Sequence, residues 1–293
     1  MICDDAGPTY AINQGWSPKF VGEKLDRDNI ILIDNRLEAG DFDYFNNYLQ
    51  ELSAKFFFKI GDGMQEVIND EYIKFLFSLP KQQNIFFFSP YKSSFVIDEI
   101  IKKHGKNKFI TIPYAYNRLH EIDQPNKRKN RILVSGNVSN YAYPLRWKFH
   151  TNTYNKIWSF GKTKYLKHPG YPDIGNVAKH KFVGNAYINL LSQYEFMLTT
   201  TNIWNYELLK YRECGYAGCI LVGNLPDHIS IDWQLGLIDL KTDVKGFVNK
   251  ILKIDNETRL RIVENYREWF RKNRNPEYLN AQLFNFLALQ NEK

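Results

Sequence analysis

Five groups of residues in this 293-residue sequence have the types and spacing to hold an anionic ligand that also carries hydroxyls. Lys210 and Glu213 stand three apart in YELLKYRECGYAGCILVGNLPD, residues 206–227, and a helix puts residues at that spacing on one face. A cation suited to a phosphate then lies beside a carboxylate suited to ribose hydroxyls. The loop Ser135-Gly136-Asn137 follows the apolar run RILV, and a small glycine-containing loop lets backbone N–H groups approach a diphosphate. Arg146, in YPLR at 143–146, brings a guanidinium one turn into the next helix, the geometry of a bidentate phosphate clamp. His168, Gly170 and Tyr171 belong to HPGYP, a stretch that fixes an unusual turn. The imidazole there either caps a pyrophosphate or touches a leaving oxygen, or it is a loop histidine satisfied by backbone. Thr199, Thr200 and Thr201 end another apolar run, where hydroxyls meet phosphate or sugar as readily as they close a turn.

Each of these groups follows a stretch that reads as a strand. Short apolar runs at 29–34, 55–60, 84–88 and 108–112 alternate with helical periodicity at 43–52, 71–79 and 94–103, the pattern of a parallel sheet covered on both faces. The rhythm resumes with strands expected at 131–134, 156–160, 196–200, 219–222 and 236–240. Helices are expected at 143–154, 184–194, 207–216 and 243–252, and Gly215 and Gly218 are read as breaks. Helical periodicity closes the chain from Glu257 to about Leu289, interrupted near Asn273 to Pro276. The polar segment 121–130, with Pro125 among charges and the cationic run Lys127-Arg128-Lys129, reads as a solvated linker. Ligands of open α/β sheets bind beyond the carboxyl ends of the strands, because helix N-termini and loose backbone amides converge there.

Composition narrows the partner. A formal charge of +7 and a pI near 9.0 suit an anionic ligand. Nucleic acid is a weaker fit, because aromatics fall inside apolar runs such as KFFFK and NIFFF rather than between Lys and Arg as stacking platforms. Cys3, Cys214 and Cys219 have neither metal-ligand spacing nor an even count, which points to buried thiols in a reducing compartment. With no signal peptide and no apolar stretch of transmembrane length, a soluble cytoplasmic protein is expected.

The stretch KYRECGYAGCILVGNLPD, residues 210–227, resembles the signature of GT-B glycosyltransferases of the group-one type, including the spore-maturation-like branch, whose members show K-Y-x-E-x-x-x-x-G, two apolar residues and a turn. The resemblance covers roughly residues 130–270, and the loop-plus-YPLR arrangement is similar to the start of the donor domain in relatives found in large DNA viruses. It implies an α/β fold of two Rossmann-like parallel-sheet domains facing a cleft. An acceptor domain would span 1–122, a linker 123–130 and a nucleotide-sugar domain 131–270, with a C-terminal helix at 271–293 packing back on the first domain. It places Glu213 at the ribose of a UDP- or GDP-sugar and Lys210 at its diphosphate. The reaction implied is sugar transfer to a glycan or glycoprotein acceptor in surface or capsid glycan synthesis, with the nucleotide sugar as cosubstrate and no tightly bound cofactor.

No metal is required if protein cations and helix dipoles stabilise the departing diphosphate, and Asp41-Phe-Asp43 reads as a helix cap. An inverting mechanism needs a general base from the first half; Asp62, between two glycines, leads Asp5, Asp4 and Asp34. A retaining mechanism needs none. Alternatives are a GT-B epimerase or phosphorylase and, from another class, a non-catalytic nucleic-acid-binding protein.

Overall fold

The structure, a computed structural model, describes residues 30–33, 42, 45, 49, 55–61, 70–123, 127–166, 185–229 and 243–291. Two compact units emerge, one formed by 1–115 with 274–293 and the other by 116–273.

The first unit carries the parallel sheet β1 (Ile30–Ile33), β2 (Lys55–Lys59), β3 (Ile85–Ser89) and β4 (Phe109–Thr111), in that order. The three phenylalanines of β2 are buried, as expected of a strand covered on both faces. Because side chains alternate along a strand, Phe57 and Phe86 face one layer and Phe58 and Phe87 the other. Phe57 stacks on Phe86 at 4.9 Å, and both rings meet Phe286 of the last helix, α8 (Pro276–Asn291). Leu283 and Leu287 complete that layer with Ile112. On the opposite face Phe58 packs on Phe75 of α1 (Glu71–Ser78) and Phe87 on His104 of α2 (Phe95–His104). Asp70 and Ser94 cap these two helices by accepting backbone N–H bonds.

The second unit is built on β5 (Lys129–Ser135), β6 (Thr163–Leu166), β7 (Tyr194–Thr199) and β8 (Ile220–Gly223), all parallel, in the order β6-β5-β7-β8. Leu133, Met197 and Leu221 pack against α4 (Asn185–Leu191), α5 (Leu209–Ala217) and α7 (Asn256–Asn273). Their strand neighbours Ile132, Val134, Phe196, Leu198, Ile220 and Val222 face α3 (Pro144–Thr153) and α6 (Val244–Ile251).

Three expectations need correction. Residues 156–160 form a tight 3-10 turn at Ile157–Ser159, not a strand. Its apolar side chains Ile157 and Phe160 point to solvent, and the Ser159 hydroxyl closes the turn on the carbonyl of Lys156 at 2.8 Å. Gly215 does not break its helix. α5 runs through it to Ala217 and ends at Gly218 in the left-handed conformation, while a Cβ at Gly215 would lie 2.9 Å from the ring of Tyr116. Its smallness therefore serves packing. The segment around 121–130 is also not a free linker. Ile122 N–H donates to the Tyr216 carbonyl at 2.8 Å, Glu121 pairs with Arg271, and Arg128 donates to the carbonyls of Ala217 and Gly218 at the end of α5, where the helix dipole favours a cation. The unit accordingly begins at Tyr116, and β5 at Lys129. The helix expected at 43–52 and the strand at 236–240 lie outside the described residues, apart from Phe45 and Leu49.

Candidate functional site

β5 lies between β6 and β7, so the chain reverses its direction of strand addition there. The connection after β5 leads to α3 on one face of the sheet, and the connection after β7 leads to α5 on the other. Diverging connections of this kind leave a crevice at the carboxyl ends of the two strands. Ser135 and Gly136 lie at the end of β5 and Thr200 and Thr201 at the end of β7, while Arg146 and Lys210 reach in from the first turns of α3 and α5.

Arg146 is 1% exposed. Its guanidinium bridges the two strand ends, donating from Nη1 to the Asn137 carbonyl at 3.0 Å and from Nη2 to the Thr200 carbonyl at 3.4 Å. It also lies 4.3 Å from the centre of the Tyr143 ring, a cation–π contact. From the other helix, Lys210 Nζ donates to the Tyr187 hydroxyl at 2.9 Å, and Tyr187 donates onward to Ser135 Oγ at 2.8 Å. Burial holds the Tyr187 phenol well above its ordinary range and so keeps it neutral.

Gly136 is where the two cations meet. Its φ is +103°, and a Cβ there would stand 2.7 Å from Arg146 Nη1 and 2.9 Å from Lys210 Cε. Only glycine fits both the backbone and the space. Burial lowers the Lys210 pKa; the carboxylate of Glu213 opposes that shift and the guanidinium of Arg146 adds to it. A buried guanidinium and a half-buried ammonium that meet over one glycine repel and are poorly hydrated, and a bound anion relieves both penalties. Glu213, one turn further along α5, is half-buried, and its charge also acts on Tyr187.

The two threonines have different roles. Thr200 Oγ1 is buried with no hydrogen-bond partner among the described residues. Thr201 exchanges two hydrogen bonds with Asn224 after β8, its N–H donating to Oδ1 at 3.0 Å and its Oγ1 accepting from Nδ2 at 2.8 Å. Thr201 therefore fixes the rim of the crevice. His168, Gly170, Tyr171, Asp62, Asp34, Asp5 and Asp4 lie outside the described residues.

Sequence reasoning passed over Tyr187, Asn224 and the pair of buried Glu207 with half-buried His228, whose Oε2 and Nε2 are 3.1 Å apart. Asn224 and His228 follow β8 and obey the same strand-end rule that singled out the other loops. Tyr187 carries no such signal, since its helix reads as ordinary core. Among the described residues no group of three His, Cys, Asp or Glu side chains is placed to hold a metal, and no helix is long and apolar enough to cross a membrane.

No protein-family model and no curated protein sequence matches the chain. Among solved structures it is similar to an alpha,alpha-trehalose-phosphate synthase (UDP-forming) from Burkholderia vietnamiensis, with a TM-score of 0.59 and 10% identity over 91% of this chain and 72% of that one. A trehalose-6-phosphate structure from E. coli bound with UDP-2-fluoro glucose gives 0.58 and 12%, over 92% and 75%. An alpha-glucosyltransferase in complex with UDP and a 13-mer DNA containing an HMU base gives 0.58 and 12%, over 92% and 83%. At these identities the likeness is one of fold, and the chain has the α/β fold with Rossmann-like parallel sheets that GT-B glycosyltransferases share.

Proposed function

We propose that this protein transfers a sugar from a UDP- or GDP-sugar to a hydroxyl of a glycan or glycoprotein acceptor, in the cytoplasm. The observation that carries the reading is the convergence of buried Arg146 and half-buried Lys210 on Gly136 at the β5/β7 switch point, with Glu213 one turn away on α5. The cations suit a diphosphate and the carboxylate suits a ribose. In the transfer, the acceptor oxygen bonds to the anomeric carbon as the bond from that carbon to the diphosphate oxygen breaks. The nucleoside diphosphate leaves with the electron pair, and Arg146 and Lys210 stabilise its growing charge. In an inverting reaction the acceptor proton passes to a carboxylate, for which Asp62 leads Asp5 and Asp4; a retaining reaction uses no separate base. His168, Gly170 and Tyr171 would complete the donor contacts. The spore-maturation-like and viral resemblance of 210–227 and 135–146 favours a role in surface or capsid glycan synthesis.

Thermal unfolding with UDP, GDP and their sugars tests this reading. A nucleotide at a hundred times its dissociation constant stabilises the fold by about 2.7 kcal/mol. If none of these ligands raises the midpoint of the wild-type protein, the crevice is not a nucleotide site.

A second acceptor deserves a direct assay. The net charge of +7 and the fold shared with an alpha-glucosyltransferase bound to HMU-containing DNA favour a hydroxylated base in DNA as the acceptor. Transfer of labelled sugar to duplexes with and without hydroxymethyl bases, in competition with oligosaccharides, separates the two acceptors.

A further inference from the structure

The turn between α3 and β6 exposes two large apolar side chains on a rigid frame. Ile157 is 95% and Phe160 91% exposed. Residues three apart eclipse one another in a 3-10 turn, so these side chains share one side and form a single knob. Their exposure is built in. Backbone bonds run from Ser159 N–H to the Lys156 carbonyl at 3.0 Å, from Phe160 N–H to Ile157 at 3.2 Å and from Lys162 N–H to Ser159 at 2.9 Å. The Ser159 hydroxyl also donates to Lys156, and Trp158 packs inward against the core beneath α3 and α6. Tyr154, half exposed, adjoins the turn.

Along the chain, the charge flanking this knob has one sign. Lys148, Lys156 and Lys164 are exposed, and the sequence holds no Asp or Glu between Asp123 and Asp173. We infer that the Ile157–Phe160 turn docks the second unit on an anionic lipid bilayer, with the two side chains entering the headgroup and acyl boundary and the lysines meeting lipid phosphates and carboxylates. Small apolar wedges with cationic flanks partition into anionic interfaces. Two side chains are too small a patch for a stable protein interface, which takes about 800 Å² from each partner. The turn precedes β6, so within this unit it lies at the amino ends of the parallel strands, opposite the carboxyl ends that carry Arg146 and Lys210. Docking there leaves the crevice open.

Co-sedimentation of the full chain with phosphatidylcholine vesicles, with and without phosphatidylserine, tests the inference. Wild type should bind the anionic vesicles and release them in high salt. Ile157→Ser and Phe160→Ser should each weaken partitioning roughly tenfold, the loss of one buried apolar side chain. Lys156→Glu with Lys164→Glu should abolish the preference for phosphatidylserine. All four positions are exposed, so an unchanged unfolding midpoint verifies that the variants fold. Failure of wild type to bind, equal binding by the Ile157→Ser/Phe160→Ser protein, or a concentration-dependent dimer that this variant disperses without any vesicle binding would each overturn it.

Discussion

Replacing Gly136 by alanine tests the geometry of the crevice most directly. An L-residue at φ +103° carries backbone strain of about 1–2 kcal/mol relative to glycine. The new methyl also stands inside contact distance of Arg146 Nη1 and Lys210 Cε, at 2.7 and 2.9 Å. The lysine end is the far part of a flexible chain, and swinging it aside adds a smaller cost by giving up its 2.9 Å bond to the Tyr187 hydroxyl. Arg146 is fixed by its bonds to the Asn137 and Thr200 carbonyls, and disturbing a charged group's buried hydrogen bonds costs roughly 1.5–3 kcal/mol. The expected total is about 2.5–5 kcal/mol, the sum of these two ranges. Gly161 supplies the control, because its φ of +75° is strained for alanine while no atom lies within 4 Å of the added Cβ. Gly161→Ala should cost only about 1–2 kcal/mol. Urea unfolding of both variants, followed by a signal from the 116–273 unit, measures the difference. Adding Lys210→Ala should recover part of the Gly136→Ala loss, since residues in contact couple in a double-mutant cycle. If the two glycine variants unfold alike and the cycle is additive, Arg146 and Lys210 do not pack over Gly136, and the anion pocket built on them is wrong.

Glu213→Ala should weaken nucleoside diphosphate binding by about 1–3 kcal/mol, the cost of unpaired buried hydroxyls, as read by calorimetry; unchanged affinity places the ribose elsewhere. Transfer activity should survive EDTA, and a loss restored by Mg²⁺ or Mn²⁺ would refute metal-independent departure of the diphosphate. Asp62→Asn should remove transfer while leaving donor affinity within a few-fold. If Asp62→Asn, Asp5→Asn and Asp4→Asn all keep full kcat, the base lies elsewhere or the reaction retains configuration, which NMR of the product's anomeric proton decides. Burial, with the positive charges of Lys103, Lys81 and Lys108, holds the His104 pKa down at about 4, against an ordinary 6.5. Between those values the unfolded chain binds the proton first, so the contribution of His104 to stability is constant above about pH 6.5 and falls toward pH 4. Discounted for partial exposure, the loss should reach about 1–2 kcal/mol, and His104→Gln should remove that share of the acid dependence in unfolding titrations.

The alternation of apolar runs with helical periodicity was enough to specify two parallel-sheet layers, because a strand buried on both faces must be apolar throughout, as in KFFFK and CILV. The glycine and basic residues after RILV and in YPLR were legible for a related reason: a polar group retained next to an apolar strand invites a ligand. The tight turn at 157–159 was not legible, since IWSF has the composition of a buried strand. Only the tertiary structure turned Ile157 and Phe160 outward, by making the following TKYL the strand that pairs with β5. Arg128 likewise reads as part of a solvated run, yet the carbonyl end of α5 lies 89 residues away in sequence and claims it. The same holds for the crevice. Local pattern named Arg146 and Lys210 separately, 64 positions apart, whereas their meeting over Gly136 depends on β7 pairing beside β5 and on the two following connections leaving by opposite faces. Periodicity and turn chemistry act within about ten residues and are written in the sequence. The pairing of distant strands, which brings two cations together over one glycine, is decided by the packing of the whole sheet.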